Sequence, residues 1–330
     1  MNLTTPVKTL ALLALLAMPV AARAAESRIP ISGPLSIATS GSYVVTRDIT
    51  AGGAAVLTIS AGTVTVDLNG HSLLVSGNTA PVVLVNGATN LTLKNGRLYG
   101  GSDGVLANGG STGSRITLSH VETENGRISG VNLTEPAELS VEDSTLHDAP
   151  IGVEVTSTLT SSVLRIARND MRTVSGVVVS SAPMRGTIED NVIHCAGGHG
   201  ISVDGFARGL GILRNDIDGA DVGLMLTGNG GGHLVERNVI SQSTSTGILI
   251  TADNCNVLHN TVTACGATGI NVQSAGVVIE SNVVNANLGF GIGFTATSAQ
   301  CVYRYNSARG NAAGNYTVGG SGNTDGGGNQ

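Results

Sequence analysis

The 330-residue chain carries 23 acidic and 17 basic residues, and its formal net charge of −6 excludes it from the basic proteins that bind nucleic acid or anionic membrane surfaces. Its aromatic content is 2%, with no tryptophan, so a folded domain has to build its core from Val, Ile and Leu. Forty-seven glycines add frequent turns, which favours a stacked β architecture over a layered α/β domain.

The N-terminal segment 1–24 has the features of a secretory signal peptide. A basic residue, Lys8, precedes an apolar run from Leu10 to Val20 and the small-x-small site Ala22-Arg23-Ala24. The run is too short to cross a bilayer as a helix. The sequence therefore predicts cleavage after Ala24, export to the periplasm or the extracellular space, and no membrane insertion. An anchor that stays attached is the alternative.

Residues 25–60 are predicted to form an N-terminal β cap. Two short segments of alternating character, Tyr43–Val45 and Val56–Ile59, supply its strands. A solenoid needs such a cover, because its first coil otherwise exposes both core and strand edges.

The region 61–310 contains an internal repeat. A Gly-apolar-x-apolar unit returns every 22 to 24 residues, at Gly130, Gly152, Gly176, Gly200, Gly223, Gly247, Gly269 and Gly291. A second motif, apolar-x-x-Asn-x-apolar, runs in step with it, and its register positions are Asn69, Asn95, Ser119, Ser144, Asn169, Asn191, Asn215, Asn238, Asn260, Asn282 and Asn306. Short strands that each bury one face predict coils that stack around a shared core.

The Asn positions are predicted to turn corners of the coils. Asn tolerates the left-handed backbone conformation better than most residues, and its amide can bond to the equivalent Asn of the next coil. One place earlier, Asp143, Arg168, Asp190 and Arg214 alternate in charge. This alternation predicts a cross-coil ladder of salt bridges, with an anion-binding stripe as the alternative.

The repeat, together with the early coil Val64–Leu73, resembles the right-handed parallel β-helix family. Pectate lyases, polygalacturonases, alginate epimerases and many other secreted proteins share this fold. The resemblance implies an all-β, right-handed parallel β-helix of about ten coils of 22–26 residues. It does not imply one activity, because the fold hosts many chemistries and some proteins without catalysis.

The final residues, 311–330, form a tail rich in Gly and Asn. Tyr316–Val318 is predicted to pair with the last coil. The Gly- and Asn-rich composition of Gly319–Gln330 predicts that this segment is disordered.

One candidate site is the segment Gly198-His199-Gly200, which resembles the Gly-His-Gly segment of polygalacturonases. These hydrolases also need carboxylates on the two preceding coils, to protonate the leaving oxygen and to activate water. The matching places hold Ile151-Gly152 and Val174-Ser175 instead. The sequence therefore excludes a polygalacturonase, and His199 is either a turn residue or a binding residue.

A second candidate site follows the Asn register. Arg172, His194 and Asp218 each lie three residues beyond an Asn, and stacking would place them about 4.8 Å apart on consecutive coils. An imidazole oriented by a carboxylate suits proton transfer. A ladder of surface ion pairs is the alternative. Asp204, in the connection after the strand of Ser202, is a further candidate.

Metal sites receive little support. Asp216, Asp218 and Asp221 offer the oxygen ligands that Ca²⁺ prefers, but the same residues are typical of a solenoid corner. The sequence predicts no metal and no cofactor.

Most of the four cysteines are predicted to be buried as small hydrophobic residues. An even number permits disulfides in an exported protein. Cys255 and Cys301 share a register position but lie two coils apart, which is beyond disulfide reach. The sequence therefore argues against a disulfide between these two, and the disulfide state of the four cysteines is otherwise left open.

Two functions remain. The first is a β-helix that binds ligands or builds a surface, without catalytic residues, with an acidic polysaccharide or a cell-surface component as partner. The second is a lyase or epimerase that acts on an acidic polyuronate. The candidate binding residues are Arg172, His194, His199, Asp204 and Asp218.

Overall fold

The computed structural model describes residues 28–330 except 78, 88, 109–111, 160–161 and 181–183. In this part of the chain all regular elements are strands, and they follow one another around stacked coils. Each complete coil passes through three rows of strands, here called the first, second and third row. The predicted signal peptide lies outside the described residues.

The first row is a parallel sheet of thirteen strands, and these bound about twelve full turns. Its strands are Leu35–Ile37, Leu57–Ile59, Val83–Val85, Asp103–Ala107, Ser129–Thr134, Ile151–Thr156, Ser175–Ser180, Ile201–Val203, Leu224–Leu226, Ile248–Ile250, Ile270–Val272, Phe290–Phe294 and Gly314–Val318.

The second and third rows join in a single sheet of twenty-four strands. Two long strands, Asn90–Gly100 and Arg115–Glu124, run through both rows. The other second-row strands are Ile29–Ile31, Gly41–Val45, Thr63–Asp67, Glu138–Glu142, Val163–Ala167, Arg185–Glu189, Leu210–Leu213, Leu234–Glu236, Asn256–Leu258, Val278–Glu280, Val302–Arg304 and Thr324–Asp325. The other third-row strands are Ile49–Ala51, Ser72–Val75, Thr145–His147, Asp170–Thr173, Val192–Cys195, Asp216–Asp218, Val239–Ser241, Thr261–Thr263, Val283–Asn285 and Ser307–Arg309.

Inward side chains from the three rows fill one continuous core. In the first row, Val153, Val177 and Ile201 are in parallel register on consecutive coils, and all three are fully buried. Burying one such side chain stabilises the fold by about 1.5–3 kcal/mol. At the adjoining corner, a Cβ on Gly200 would lie 2.4 Å from the carbonyl oxygen of Gly223, so the repeat requires glycine there. The predicted parallel β-helix is confirmed.

The Asn ladder is also present, with each side-chain amide bonded to the next. Asn238 shows the pattern: its Oδ1 accepts hydrogen bonds from the backbone N–H and Nδ2 of Asn215, both at 2.9 Å. Its Nδ2 donates to Asn260 Oδ1 at 2.9 Å and to the Ile212 carbonyl at 2.8 Å. The members of the ladder are Asn169, Asn191, Asn215, Asn238, Asn260, Asn282, Asn306 and Asn329.

The prediction that the ladder Asn itself adopts the left-handed conformation is wrong. The residue one place earlier does so, with φ of 56° at Arg168, 55° at Asp190 and 52° at Arg214. Because that residue turns the corner with its charged side chain outward, the following Asn can direct its amide into the core. The left-handed corner therefore carries the charges, and the ladder lies behind it.

The ladder register assigned to the early coils is wrong as well. Asn69 and Asn95 occupy the left-handed corner, with φ of 53° and 61°. In the coil of Ser119, the residue in the ladder position is Val121, whose N–H donates to Ser144 Oγ at 3.2 Å. The corner of the Asn69 coil has two more residues than the corner of the next coil. The corners of the Asn95 and Ser119 coils have no extra residues, so there the sequence simply assigned the wrong residue to the ladder position.

The predicted salt-bridge ladder is confirmed along the corner between the second and third rows. Arg168 bonds to Asp143 at 2.7 Å and to Glu142 at 2.6 Å. Arg214 repeats the arrangement two turns further on, with Asp190 at 2.7 Å and Glu189 at 3.0 Å. The partners hold the carboxyl pKa values of Asp143 and Asp190 below their usual range, chiefly through these hydrogen bonds. Because both guanidiniums are already paired with carboxylates, they form a structural ladder rather than an anion-binding stripe.

Both ends of the described chain continue the stack. Within the segment predicted as a cap, Ile29–Ile31 pairs in parallel with Gly41–Val45, and that strand pairs with Thr63–Asp67. At the other end Thr324–Asp325 pairs with Val302–Arg304. The predicted disorder of 319–330 is wrong, because asparagines in this segment extend the ladder pattern of the coil before it.

All four cysteines are free thiols, and Cys255, Cys265 and Cys301 are fully buried. Cys255 and Cys301 lie in one column with Val277 between them. Burial raises the pKa of the Cys195 and Cys255 thiols to about 11. Among the described residues, no helix is long and apolar enough to span a membrane.

Candidate functional site

The outward face of the third row carries a polar column that continues over ten coils. Parallel register stacks its members directly, one per coil, and we call this set the polar column. Its members are Tyr99, Glu124, His147, Arg172, His194, Asp218, Ser241, Thr263, Asn285 and Arg309.

Arg172, His194 and Asp218 occupy three consecutive positions of this column. His194 Nδ1 lies 2.7 Å from Asp218 Oδ1, so the carboxylate fixes the orientation of the ring. The Arg172 guanidinium pairs with Asp170, two residues earlier on its own strand, at 3.4 Å. The sequence-predicted cluster is therefore a His–Asp pair with a separate, exposed arginine beside it.

A groove of about 540 Å³ lies along this part of the column. Arg172 and His194 line it with polar groups, whereas Pro150 and the half-exposed Val174 give it an apolar wall. The remaining lining residues are Asp148, Ala149, Thr173, Cys195 and Ala196. We call this feature the third-row groove. It presents hydrogen-bond donors and an apolar surface to the same ligand.

A second cluster occupies the column beside the groove. His147 Nδ1 lies 2.9 Å from Asp148 Oδ2, and its Nε2 lies 3.3 Å from Glu122 Oε1. Arg97 Nε approaches the other oxygen of Glu122 at 2.6 Å. Burial alone would lower the pKa of His147, but the hydrogen bonds to Asp148 and Glu122 outweigh it and raise that pKa. Glu124 completes the cluster and faces His147 in register.

The sequence did not reveal this cluster because the ladder position in the coil of Glu122 and Glu124 was assigned to Ser119. The correct count starts at Val121 and places Glu124, not Glu122, beside His147. A Glu-x-Glu pair followed one coil later by His-Asp was the signal that could have revealed it.

The two other candidate residues lie elsewhere. His199 occupies the turn before Ile201–Val203, where its N–H donates to Ser175 Oγ at 3.2 Å and its Nδ1 is buried without a hydrogen-bond partner. Asp204 follows the same strand, and its Oδ1 accepts from the N–H of Gly205 and the hydroxyl of Thr227. Within the described part of the chain, neither residue lines the third-row groove.

Comparison with known proteins concerns the fold first. A family model described as "Right handed beta helix region" matches residues 81–238 and 225–330. A search of curated proteins finds no match.

Several solved structures share the fold. A mutant of the periplasmic alginate epimerase AlgG is 16% identical, with a TM-score of 0.60 over 90% of this chain and 77% of that chain. The mannuronan C-5 epimerase AlgE4 A-module of Azotobacter vinelandii is 13% identical, with a TM-score of 0.53 over 87% and 88%. The Dettilon tailspike protein is 14% identical, with a TM-score of 0.51 over 82% and 62%. At these identities the likeness shows the fold alone.

Proposed function

The chain belongs to the right-handed β-helix family, and on that premise we propose that it is an exported protein that binds a polysaccharide along the third-row groove. The observation that carries the proposal is the composition of that groove. Arg172 and His194 offer hydrogen-bond donors on one side, and Pro150 and Val174 offer an apolar surface on the other. A pyranose ring has the matching character, with hydroxyl groups at its rim and C–H groups on its faces.

An acidic polysaccharide is the partner class that we favour. The side chain of Arg172 is 66% exposed, so its guanidinium can reach a sugar carboxylate while it keeps its contact with Asp170. Arginine binds carboxylates in a planar, bidentate geometry, which gives orientation as well as affinity. Export through segment 1–24 would place the protein where such polymers occur. AlgG and AlgE4 are named for the polysaccharides alginate and mannuronan, but the proposal rests on the groove and not on those names.

Calorimetric titration with neutral and acidic oligosaccharides tests this proposal. We expect an acidic oligosaccharide to bind. We expect Arg172→Ala to raise its dissociation constant at least tenfold, which corresponds to a loss of about 1.4 kcal/mol of binding free energy. Arg309→Ala is the matched control, because Arg309 occupies the same column six coils away. If no oligosaccharide binds, or if both substitutions weaken binding equally, the proposal is wrong.

A lyase or epimerase is the second candidate function, and the His194–Asp218 pair favours it. With Nδ1 held by Asp218, His194 presents Nε2 as the group that could remove a proton from a uronate. Arg172 would neutralise the adjacent carboxylate, which makes that proton more acidic. The ultraviolet absorbance of unsaturated products detects a lyase, and NMR of the polymer detects epimerisation. Activity that persists in His194→Ala would exclude this role.

A further inference from the structure

We propose that Glu122, Glu124 and His147 form a binding site for a transition-metal ion, with zinc as the best match. One ligand atom from each residue lies within 4.8 Å of the other two. The donor set, one imidazole nitrogen and two carboxylate oxygens, is one that zinc accepts. None of the three proposed ligands lines the third-row groove, although the neighbouring Asp148 does, so metal binding can be tested separately from the function proposed above.

The distance between His147 Nε2 and Glu122 Oε1 supports this assignment. A tetrahedral zinc ion with bonds of about 2.1 Å holds neighbouring ligand atoms about 3.4 Å apart. The two atoms lie 3.3 Å apart, so they need almost no movement to share an ion. Glu124 lies directly in register with His147 on the preceding coil, and one of its carboxylate oxygens lies within 4.8 Å of the ligand atoms of both other residues.

The residues around the three ligands supply a second, independent observation. Asp148 holds the Nδ1 of His147 at 2.9 Å, which leaves Nε2 as the metal-binding nitrogen. Arg97 holds the outer oxygen of Glu122 at 2.6 Å, which leaves the inner oxygen directed toward His147. Metal-binding histidines and carboxylates in proteins are oriented by outer partners of this kind. Each of these two ligands is therefore already turned toward a shared centre.

An ion at this centre would have an open coordination position. A cavity of about 220 Å³, lined in part by Glu122, Glu124 and Tyr99, adjoins the cluster. Three protein ligands with water in the fourth position is the arrangement of zinc sites that exchange ligands. The site would thus accept a small oxygen ligand from the solvent.

Calorimetric titration of the untagged, chelator-treated protein with zinc chloride tests the proposal. We expect one ion per chain, and a loss of affinity of at least tenfold for His147→Ala and for Glu124→Gln. Asp148→Asn should lower affinity about 10- to 100-fold, because it removes the group that orients His147. His71→Ala is the matched control, since His71 contacts a single carboxylate, Asp48, and should leave affinity unchanged.

Cobalt substitution gives a second readout that does not depend on affinity. A cobalt ion bound by imidazole and carboxylates shows d–d absorption without thiolate charge transfer. Thiolate bands would place the ion at a cysteine and overturn the proposal. Failure of the folded protein to bind zinc would overturn the proposal and leave His147 as a hydrogen-bonding partner of Glu122 and Asp148 alone. Binding that survives His147→Ala would also overturn it.

Discussion

His233 makes stability depend on pH in a way that can be calculated. Its side chain is 1% exposed, and its Nδ1 accepts a hydrogen bond from the N–H of Leu210 at 3.3 Å. Burial lowers the pKa of His233 to about 4, against the opposing hydrogen bond with Ala207. Above pH about 7.5 neither the folded nor the unfolded state is appreciably charged at this residue, so it has little effect on the pH dependence there.

Between pH 6.5 and 4, only the unfolded state takes up the proton, so stability falls as the pH falls. The full shift of about 2.5 pKa units corresponds to about 3.4 kcal/mol. Most of this loss, about 2.5 kcal/mol, should occur between pH 7.5 and about 4.5. Below pH about 3 both states are protonated and the loss is complete.

The chain itself indicates the substitution that isolates this effect. Asn323 lies in the same column as His233, three coils after Cys255. Its Oδ1 accepts a hydrogen bond from the N–H of Cys301 at 3.0 Å, just as Nδ1 of His233 accepts one from the N–H of Leu210. His233→Asn therefore keeps an acceptor and removes the titrating group. We expect denaturant unfolding of the natural protein to lose about 2.5 kcal/mol more than the variant between these pH values. The exposed His259→Asn is the control.

Coinciding pH profiles for the natural protein and His233→Asn would refute this reasoning. That result would mean that His233 is protonated in the folded state, or that the surrounding coil opens before it titrates. Amide hydrogen exchange at Leu210 separates the two possibilities, because only coil opening exposes that N–H to solvent.

Two further substitutions test the packing. Asn238→Leu removes four buried hydrogen bonds from the ladder, and at about 1 kcal/mol each we expect roughly 4 kcal/mol of destabilisation by denaturant unfolding. Asn329→Leu, at the end of the ladder, removes four hydrogen bonds that are only part-buried or exposed, so we expect a smaller loss there. Equal losses at both sites would contradict the ladder's role. Gly200→Ala forces a Cβ to within 2.4 Å of the Gly223 carbonyl oxygen, and we expect it to lower the free energy of unfolding by about 1–3 kcal/mol. Gly33→Ala is the control, because a Cβ at that position meets open space and should change the melting temperature little. An unaltered melting temperature for Gly200→Ala would show that the corner can relax.

The fold could be predicted from the sequence because one repeat determines many contacts at once. A spacing of 22 to 24 residues places Val153, Val177 and Ile201 in register, and the structure has that register. The alternating charges at Asp143 and Arg168 predicted their salt bridge for the same reason. A single correct period therefore fixes core, ladder and corner together.

The candidate site could be predicted only in part. The register of Arg172, His194 and Asp218 followed from the Asn positions, but the depth of the groove depends on how Pro150 and Val174 project from a turn. No periodic pattern encodes such a projection. In the coil before His147, the ladder position was assigned to Ser119 instead of Val121, so the register did not bring Glu124 beside His147.

The start of the Asn ladder at Asn169 separates two kinds of evolutionary constraint. From Asn169 onward each coil offers its neighbours an identical set of bonds, so a coil can be duplicated or deleted without a new interface having to arise. Before it, Gly96, Val121 and Ser144 take the ladder position, and the uniform bonding stops. The cluster around His147 lies in these coils. The number of regular coils can thus change by drift. The irregular coils cannot be copied in this way, and selection for a specific chemistry would act on them.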